Sequence, residues 1–537
     1  MRIALAQLDL LIGDIDGACA QIRQAVAVAA KQGADLVVCP ELAAFGGYPP
    51  RDLVERRWLV ERQWAALTAL AETVALPTIV GCIEPLAGAA RPALANALAV
   101  LDRGVVATYR KRLLPTYDVF DERRWFRPGE VASVIEIRGR RVGLTVCEDI
   151  WPSADSGVDY GVDPVAELIG RCDLIVNASA SPFHVAKPAL RRRMLADVAR
   201  RAGCPLVYCN LVGAQDELLF DGDSCIVASD GALIARAPRW TTAVTVADLA
   251  DRVADVALDD IDDLWTGLVA GIRGYCAKTR QGRVVLGLSG GIDSALVATL
   301  AVDALGAANV TGLLMPGPYS SRGSIDDAVA LATNLGIAHH TLPIGDGFDA
   351  ALRTLQPIFA GTPSGVAEEN LQSRLRGTLV MAVANKLNAM ALTTGNKSEL
   401  ACGYCTIYGD MNGGLAPIGD VYKTDVWRLS RHANRDRERI PDASITKAPS
   451  AELRENQTDQ DSLPPYHVLD RILRRYVEES ASPAAIVAAG EDPDLVAKIV
   501  RLVEVSEFKR RQAAPALRVS RKAFGIGRRM PIARAIG

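Results

Sequence analysis

The segment Gly287–Ala295, which reads Gly-Leu-Ser-Gly-Gly-Ile-Asp-Ser-Ala, constrains the fold of this chain more strongly than any other stretch. The short strand-like run Arg283–Leu286 precedes it, and the helix-forming run Leu296–Ala301 follows it. We therefore predict a glycine turn between a strand and the N-terminus of a helix. Glycines let backbone N–H groups approach an anion closely, and the first N–H groups of a helix lack partners within it. The pattern predicts a site for nucleotide phosphates.

Three other interpretations of this segment compete with a phosphate site. A Walker phosphate loop requires a Gly-Lys pair, and the chain contains none. The string also fits Gly-x-Ser-x-Gly, which would make Ser289 a hydrolase nucleophile, and a plain turn without chemistry is the third interpretation. The complete string, with hydroxyls at Ser289 and Ser294 and a carboxylate for Mg²⁺ at Asp293, resembles the loop of the ATP pyrophosphatases. These enzymes cleave ATP to AMP and pyrophosphate.

Length and composition limit the class of protein. The chain has 537 residues, so we expect two or more domains. Its formal charge of −3 predicts no nucleic-acid partner, and no apolar run is long enough to span a membrane. Gln7 and Asp9 interrupt the N-terminus too early for a signal peptide. Eleven scattered cysteines fit a reducing compartment, so we expect a cytoplasmic protein.

Strands and helices alternate through the first half of the chain, as far as about Val246. The run Ile3–Leu8 predicts a strand, Gly17–Lys31 a helix, and Ala34–Cys39 a buried strand. Further strands are predicted at Thr78–Ile83, Ala95–Leu101, Arg141–Val146, Leu174–Asn177, Pro205–Asn210 and Ser224–Ala228. This is an α/β pattern in which several strands end just before a polar residue.

Three of these polar residues are candidates for catalysis: Glu41, Lys111 and Cys147. A cysteine at a strand end is well placed to meet a substrate, but only its thiolate attacks efficiently. Glu41 could accept the thiol proton, and Lys111 could stabilise the thiolate and the oxyanion. Each residue alone also fits a structural role, as a helix-start carboxylate, a surface charge and a small buried hydrophobe respectively.

The motifs around these residues resemble those of the nitrilase-like amidohydrolases. Pro40–Leu42, Lys111–Pro115 and Val146–Asp149 occur in the order and context of that family. The resemblance implies a four-layer α-β-β-α sandwich with a Glu-Lys-Cys triad. It assigns the glutamate as general base, the lysine as stabiliser of the oxyanion and intermediate, and the cysteine as nucleophile.

A more specific resemblance is to the glutaminase domain of the glutamine-dependent NAD⁺ synthetases. The segment Asn177–Lys187 matches the part of that domain that holds glutamine. The match implies that Tyr117, Ser181 and Lys187 contact glutamine. Many members have arginine where this chain has Lys187, and a lysine pairs with a carboxylate without the bidentate geometry of arginine.

The composition changes near residue 260. Seven aspartates occur between Asp248 and Asp263, which is typical of a solvated connection or a helix start. We therefore predict a nitrilase-like glutaminase domain over residues 1–246, a linker over 247–264 and a second domain over 265–537.

The second half again alternates strands with helices. Besides the strand before the glycine turn, the predicted strands are Asn309–Met315, His339–Pro343 and Met390–Thr394. The predicted helices are Leu264–Lys278, Ser324–Leu335 and Asn370–Leu387. This pattern predicts a doubly wound parallel sheet with ligands at the carboxyl ends of its strands. The resemblance to the ATP pyrophosphatases implies that this second domain has a fold like that of the adenine nucleotide alpha hydrolases.

Three further motifs resemble those of the NAD⁺ synthetases: Glu369–Arg374, Thr394–Glu399, and Tyr408–Asp410 followed by Pro417–Thr424. The resemblance implies a set of ATP-binding residues, which are Gly287, Leu288, Ser289, Gly290, Gly291, Ile292, Asp293, Ser294 and Thr394. It implies that deamido-NAD⁺ contacts Asn370, Glu399 and Lys509. Asp293 and Glu399 are also implied as Mg²⁺ ligands, so Glu399 is ambiguous between metal and substrate.

The segment Ile440–Pro465 is rich in polar residues and prolines and has little periodicity, so we predict a long mobile loop. In the resembling family its counterpart orders over the substrates. Lys447 and Ser450 would then reach phosphate.

The resemblance covers nearly the whole chain in two blocks and implies one reaction. Deamido-NAD⁺, ATP, glutamine and water would give NAD⁺, AMP, pyrophosphate and glutamate, through an adenylated intermediate and with Mg²⁺ as cofactor. Ammonia would pass from the first site to the second through a tunnel, and relatives form homo-oligomers, commonly octamers. The alternatives are another amidotransferase with a pyrophosphatase-type loop, such as one acting on a purine nucleotide, a Ser289 hydrolase, and a catalytically inactive binding protein.

Overall fold

The chain folds into two compact units, Met1–Asp259 and Asp260–Gly537. The computed structural model describes residues 1–88, 90–151, 157–256 and 259–536. Within the predicted linker 247–264, residues 257 and 258 lie outside the described residues. Regular structure occupies both ends of this linker, because a strand ends at Asp248 and a helix begins at Asp260.

Two six-stranded sheets form the centre of the first unit. The strands of the first sheet are β1 (Arg2–Gln7), β2 (Leu36–Val38), β3 (Thr78–Pro85), β4 (Leu94–Leu101), β5 (Val105–Arg110) and β14 (Ala243–Asp248). They lie in the order β14-β1-β2-β3-β4-β5. The first three strands of the chain are parallel, and the remaining pairs are antiparallel.

The second sheet has the same kind of mixed architecture. Its strands are β6 (Ser133–Ile137), β7 (Arg140–Val146), β8 (Leu174–Ser179), β9 (Leu206–Asn210), β12 (Cys225–Val227) and β13 (Leu233–Arg236). They lie in the order β13-β12-β9-β8-β7-β6, with β7, β8 and β9 parallel. A separate hairpin consists of β10 (Val212–Gln215) and β11 (Leu218–Asp221).

The two sheets pack face to face through fully buried aliphatic side chains. Leu5 and Val38 of the first sheet belong to the same cluster as Val146 and Val176 of the second. The helices of this unit are α1 (Ile15–Lys31), α2 (Arg57–Thr73), α3 (Glu122–Trp125) and α4 (Lys187–Ala202). α1 and α2 cover the first sheet, and α4 covers the second through residues such as Leu195. The predicted four-layer α-β-β-α sandwich is confirmed.

The second unit contains a parallel sheet of four strands. They are β15 (Val284–Gly287), β16 (Val310–Leu314), β17 (Ala338–Thr341) and β18 (Met390–Ala391). Their spatial order is β17-β16-β15-β18, so the chain first proceeds outwards from β15 and then returns to its other side. In such a sheet the ligand crevice lies at the carboxyl ends of the strands where the direction reverses, here β15 and β18.

Helices cover both faces of this sheet, which confirms the predicted doubly wound fold. The helices are α5 (Asp260–Lys278), α6 (Ile292–Leu305), α7 (Arg322–Leu335), α8 (Gly345–Phe359), α9 (Val366–Leu387), α10 (Lys397–Cys402), α11 (Lys423–Ala433), α12 (Asp442–Thr446), α13 (Tyr466–Leu473), α14 (Pro483–Ala488), α15 (Pro493–Val505) and α16 (Glu507–Arg510). On one face, Val380 and Ala384 of α9 pack against Val285 and Leu313. Successive strand residues point to opposite faces, so Leu286 points towards the other face.

Two elements differ from the sequence prediction. β18 ends at Ala391 rather than at residue 394, because the Thr393 N–H bonds to the Leu415 carbonyl and its hydroxyl donates to the Asp410 carbonyl at 3.0 Å. The predicted mobile loop, residues 440–465, contains α12 and a 3₁₀ turn at Asp459–Asp461, and several of its side chains are buried. Among the described helices, none combines the length and the apolar character needed to cross a membrane.

Candidate active sites

Lys111 is the centre of a buried charge cluster in the first unit. It follows β5, and its side chain is fully buried. Its Nζ donates to Glu41 Oε1 at 2.7 Å and to Glu122 Oε1 at 2.7 Å. Both carboxylates are also buried, and a charge this deep in a protein is stable only when paired and hydrogen-bonded. The interpretation of Lys111 as a surface charge is therefore wrong.

Two further donors orient Glu41, which lies shortly after β2. Asn96 Nδ2, on β4, donates to Glu41 Oε1 at 2.7 Å. The Ala180 N–H, after β8, donates to Glu41 Oε2 at 2.9 Å. The carboxylate is thus held by groups from three separate segments, which fixes its direction before any substrate arrives.

Cys147 stands directly after β7 in a strained turn. Its φ of +41° lies in the left-handed region, where such residues are uncommon and often belong to active sites. The Asp149 carboxylate stabilises the turn, because it accepts a hydrogen bond from the Val146 N–H at 2.9 Å. Its other oxygen accepts from the N–H groups of Arg112 at 3.0 Å and Leu113 at 2.9 Å. The turn is therefore tied to the segment that carries Lys111.

Burial has the largest effect on the pKa values of the ionisable groups in this cluster. It raises the pKa of the Cys147 thiol well above its usual value; Glu41 raises that pKa further, and Lys111 opposes the rise. Burial also raises the pKa of Glu122 to about 8, although Lys111 lowers it. For Lys111, burial alone would lower the pKa, but Glu122 and Glu41 keep it well above its usual value. The thiol is therefore protonated at neutral pH and needs a base to become nucleophilic.

The predicted glutamine-binding residues meet a further carboxylate, Glu148. Tyr117 lies after β5, and its hydroxyl donates to Glu148 Oε1 at 2.9 Å. Lys187 begins α4, and its Nζ donates to the Pro182 carbonyl at 2.8 Å. Burial raises the pKa of Glu148, and the charge of Lys187 is among those that oppose this rise. Tyr117 and Lys187 thus act on the same carboxylate next to Cys147.

Ser181 lies in the segment after β8, next to the residue that orients Glu41. The residue is buried, and its N–H donates to Asn210 Oδ1 at 2.9 Å. Its neighbour Ala180 provides the N–H that bonds Glu41. One short segment therefore carries a predicted glutamine contact and orients the predicted base.

Three residues of the first site were missed by the sequence analysis: Asn96, Glu122 and Glu148. Glu148 could have been found, because it directly follows the predicted nucleophile within the quoted motif. Glu122 lies on a four-residue helix, and only the folded chain brings it to Lys111. Asn96 lies in the middle of an apolar strand, where a buried amide is itself a signal of a polar partner.

The glycine turn of the second unit has the predicted strand, turn and helix. β15 ends at Gly287, and α6 begins at Ile292. The hydroxyl of Ser294 accepts from the Ser289 N–H at 3.3 Å and donates to the Gly291 carbonyl at 3.0 Å. These bonds hold the turn open, with the free N–H groups of the helix start available to an anion.

Gly290 packs directly against the start of α7. Its φ is +75°, and a Cβ at this position would lie 2.2 Å from the Ser324 carbonyl oxygen. Real Cβ atoms do not approach an oxygen so closely, and the left-handed backbone also favours glycine. The shape of the phosphate loop therefore depends on a glycine here and on a helix more than thirty residues further along the chain.

Asp293 and Glu399, the predicted Mg²⁺ ligands, converge on one ammonium group. Lys423 Nζ forms an ion pair with Asp293 Oδ2 and lies 3.3 Å from Glu399 Oε1. Asn396 Nδ2 donates to Asp293 Oδ1 at 2.9 Å, and the Asn396 side chain also caps α10 by accepting from the Glu399 N–H at 3.0 Å. Burial raises the pKa of Glu399 to about 8 against the effect of Lys423.

These two carboxylates fit a Mg²⁺ site of the kind that a nucleotide completes. Protein sites for Mg²⁺ commonly supply one or two carboxylates and leave the other positions to phosphate oxygens and water. No cluster of three or more histidine, cysteine or acidic side chains suited to a metal occurs within the described part of the chain. Any Mg²⁺ at Asp293 and Glu399 would therefore depend on ligands from a bound nucleotide.

The three residues predicted to contact deamido-NAD⁺ surround one short segment. Asn370 Oδ1 accepts from the Thr406 hydroxyl at 2.8 Å. Lys509 Nζ donates to the Gly403 carbonyl at 2.7 Å. Both residues thus contact the chain just after α10, and the first turn of that helix carries Glu399.

Thr394, the remaining predicted ATP contact, is partly buried after β18. Its two neighbours in the sequence, Thr393 and Gly395, line a small cavity. The cavity has a volume of about 20 Å³, enough for one water-sized molecule. Its lining includes Thr393, Gly395, Glu399 and Asp410. Burial raises the pKa of Asp410 to about 6.

Residues 440–465, predicted as a mobile loop, dock on the phosphate loop and α7. The Ser444 hydroxyl donates to the Gly290 carbonyl at 3.0 Å. Lys447 Nζ donates to the Ser324 hydroxyl at 3.1 Å, so it reaches the edge of the phosphate site. Ser450, the other predicted phosphate contact, instead donates to the Gln457 carbonyl at 2.6 Å within its own loop.

Both units match known families. The carbon-nitrogen hydrolase family matches residues 2–257, and the NAD synthase family matches residues 264–513. The glutamine-dependent NAD(+) synthetase of Synechocystis sp. is 47% identical, covering 99% of this chain and 98% of the relative. That of Thermotoga maritima is 41% identical with the same coverage. The chain belongs to the glutamine-dependent NAD⁺ synthetases.

A solved structure agrees with this membership. The glutamine-dependent NAD⁺ synthetase from Acinetobacter baumannii, in complex with ADP, is 37% identical and superposes with a TM-score of 0.78. The match covers 99% of this chain and 98% of that one. Membership in this NAD⁺ synthetase family supports the predicted function over an amidotransferase acting on a purine nucleotide.

We expect Gly290→Ala to disable the synthetase site alone. The added Cβ must displace the phosphate loop from Ser324, and a shift of about 1 Å in a catalytic group can cost about a hundredfold in rate. NAD⁺ formation with ammonium as nitrogen source should fall by about that factor, whereas glutamine hydrolysis should persist. The control is Gly323→Ala, where nothing lies within 4 Å of the added carbon. Equal loss in both variants would contradict this role of Gly290.

We expect Glu122→Gln to flatten the dependence of stability on pH. The pKa of Glu122 is about 8 in the folded protein and about 4.3 when unfolded. Between these two pH values the folded state binds one proton more than the unfolded state. The stability that this proton provides is lost as the pH rises from about 4.3 towards 8. Melting temperatures measured across this range should decline less for the variant than for the wild type. The exposed Glu136→Gln should behave as wild type.

Proposed function

We propose that this chain converts deamido-NAD⁺, ATP, glutamine and water into NAD⁺, AMP, pyrophosphate and glutamate. The observation that carries this proposal is the presence of two separately built centres in one chain. Glu41, Lys111 and Cys147 form a buried cluster suited to amide hydrolysis. Asp293 and Glu399 flank a phosphate loop at the switch point of a doubly wound sheet. ADP in the similar A. baumannii synthetase supports an adenine nucleotide here.

In the first half of the glutaminase reaction, Cys147 Sγ attacks the side-chain carbonyl carbon of glutamine. Glu41 accepts the thiol proton as the S–C bond forms, which is required because burial keeps the thiol protonated. Lys111 stabilises the negative charge on the tetrahedral oxygen. The C–N bond then breaks, Glu41 returns the proton to the leaving nitrogen, and ammonia departs from a thioester.

In the second half, water attacks the thioester carbonyl. Glu41 accepts a proton from this water, the C–S bond breaks, and the thiol of Cys147 regains the proton. Glutamate leaves. Glu122 shares Lys111 with Glu41, so the lysine stays in place while Glu41 gains and loses its proton.

Glutamine binding is assigned to the polar groups around Cys147. Lys187 would pair with the glutamine α-carboxylate, and the buried Glu148 would accept hydrogen bonds from the α-ammonium group. Tyr117 keeps the Glu148 carboxylate in position through its 2.9 Å hydrogen bond. Ser181 lies in the same segment as Ala180, the residue that orients Glu41, and is proposed to contact glutamine.

In the synthetase reaction, a carboxylate oxygen of the nicotinate ring attacks the α-phosphorus of ATP. The P–O bond to the β-phosphate breaks, pyrophosphate leaves, and an acyl adenylate forms. The residues proposed to bind ATP are Gly287, Leu288, Ser289, Gly290, Gly291, Ile292, Asp293, Ser294 and Thr394. Helix starts favour such anions because their N–H groups point at the ligand. Mg²⁺ held by Asp293 and Glu399 would neutralise charge on the leaving pyrophosphate.

Ammonia then attacks the carbonyl carbon of the adenylate. The bond from this carbon to the bridging oxygen breaks, AMP leaves with the former carboxylate oxygen, and the nitrogen loses one proton to solvent as the amide forms. Free ammonia is mostly protonated at neutral pH, so delivery within the protein keeps it nucleophilic. The cavity of about 20 Å³ beside Glu399 and Asp410 has the size of one ammonia molecule. Asn370, Glu399 and Lys509 are proposed to hold deamido-NAD⁺ next to it.

We further propose the cellular and structural context predicted from the sequence. The glutaminase domain would comprise residues 1–246 and the synthetase domain residues 265–537, with 247–264 between them. The eleven cysteines, none in a disulfide, favour the reducing cytoplasm. The family resemblance favours a homo-oligomer, and the mass measured in solution tests for an octamer.

Replacing the nucleophile should separate the two reactions. Cys147→Ala should abolish NAD⁺ formation from glutamine, because no thioester can form, and should retain most of the reaction with ammonium. The assay supplies deamido-NAD⁺, ATP and Mg²⁺ with either nitrogen source and measures NAD⁺ and AMP. Cys19→Ala, a buried cysteine on α1, is the matched control and should retain both reactions.

Two outcomes would contradict the proposal. If both nitrogen sources fail in folded Cys147→Ala while Cys19→Ala remains active, the division of labour between the sites is wrong. If the wild type makes no NAD⁺ from glutamine or ammonium, the substrate assignment is wrong.

A further inference from the structure

Lys423 occupies the point at which the two predicted metal carboxylates meet. Its Nζ pairs with Asp293 Oδ2 and lies 3.3 Å from Glu399 Oε1. We propose that Lys423 is a resident cation at this position, and that Mg²⁺ binds only when a nucleotide draws the ammonium away. The inference rests on the proposed function, because it takes ATP and Mg²⁺ as ligands of this site.

The position of Lys423 is built by the fold and is not one state of a mobile side chain. The residue begins α11 and is almost completely buried. Its N–H donates to the Ser398 hydroxyl at 3.0 Å. The rings of Trp427 and Tyr466 lie 5.9 Å and 5.3 Å from its Nζ, within the range of cation–π attraction. The ammonium therefore has a defined location between two aromatic rings and two carboxylates.

Each carboxylate oxygen already has a partner. Lys423 Nζ donates to Asp293 Oδ2 and to Glu399 Oε1. Asn396 Nδ2 donates to Asp293 Oδ1 at 2.9 Å, and the Asn396 N–H donates to Glu399 Oε2 at 3.4 Å. Mg²⁺ requires oxygens at about 2.0–2.1 Å in an octahedral arrangement. It can gain the two inner oxygens only if the ammonium moves.

The ammonium is held by more than the two metal carboxylates. A third buried carboxylate, Asp459, accepts a hydrogen bond at 2.7 Å from the hydroxyl of Tyr466, and its charge also acts on Lys423. The oxygens that face the ammonium, Asp293 Oδ2 and Glu399 Oε1, are the ones that a metal would need. The ammonium and a metal ion therefore compete for the same two oxygens.

A nucleotide resolves this conflict because phosphate oxygens attract both cations. The loop that contains Asp293 presents helix-start N–H groups to an anion, as described above, and an ammonium pairs strongly with phosphate oxygens. An arriving triphosphate would therefore accept the displaced ammonium and complete the coordination of the metal. Lys423 is in this sense a positioning residue that makes metal binding conditional on nucleotide.

The test measures binding of Mn²⁺, a paramagnetic substitute for Mg²⁺, by electron paramagnetic resonance on the full chain. Wild type should bind Mn²⁺ weakly alone and at least about tenfold more tightly with the α,β-methylene analogue of ATP, which cannot be cleaved at the reacting bond. Lys423→Met should bind Mn²⁺ at least about tenfold more tightly than wild type without any nucleotide. Lys498→Met is the control, because this lysine lies on α15, outside the site, and donates to the Ser462 carbonyl at 2.9 Å; the variant should bind nucleotide-free Mn²⁺ as wild type does.

Two results overturn the inference. One is a wild type that binds Mn²⁺ equally tightly with and without the analogue, a result that overturns the inference even if Lys423→Met does not fold. The other is a folded Lys423→Met protein whose affinity for Mn²⁺ does not exceed that of wild type. If the analogue itself does not bind the wild type, the proposed function fails and the inference fails with it.

Discussion

A buried lysine shared by two carboxylates is the interaction on which both centres depend. Among the residues that the structure describes, it occurs in three places: Lys111 with Glu41 and Glu122, Lys397 with Asp420 and Glu478, and Lys423 with Asp293 and Glu399. Removing one partner of such a cluster leaves an unpaired buried charge, which costs about 3–5 kcal/mol. Each cluster therefore joins segments that are far apart in the chain.

The same electrostatic arrangement has different consequences at the three places. Around Lys111, burial raises the pKa of Glu122 to about 8, so the proposed base Glu41 shares the lysine with a carboxyl group that binds a proton readily. Around Lys397, further bonds such as that to the Lys522 carbonyl at 2.9 Å leave no position for a ligand, and the role is structural. Around Lys423, the cluster opens onto the phosphate loop, where an anion can enter.

Helices and strands with a clear hydrophobic period, and polar residues near strand ends, could be predicted from the sequence. Side chains whose partners lie far away in the chain could not. Lys111 and Cys147 directly follow strands and Glu41 lies shortly after one, so all three could be predicted as catalytic residues from the sequence. Glu122 could not, since nothing local distinguishes it from other acidic residues of short helices. Lys423 lies within the motif Pro417–Thr424, but its contact with Asp293 joins residues 130 positions apart in the chain. Residues 440–465 were expected to be mobile from composition, which does not reveal contacts such as that of Ser444.

The pairing of β1 with β14 places the two ends of the hydrolase unit next to each other. These strands run antiparallel over six residues, so the unit begins and ends on neighbouring strands of one sheet. A fold whose ends lie side by side can be attached to another domain through a single junction, with neither sheet interrupted. The junction here is the short connection between Asp248 and Asp260, and both six-stranded sheets lie entirely before it in the chain.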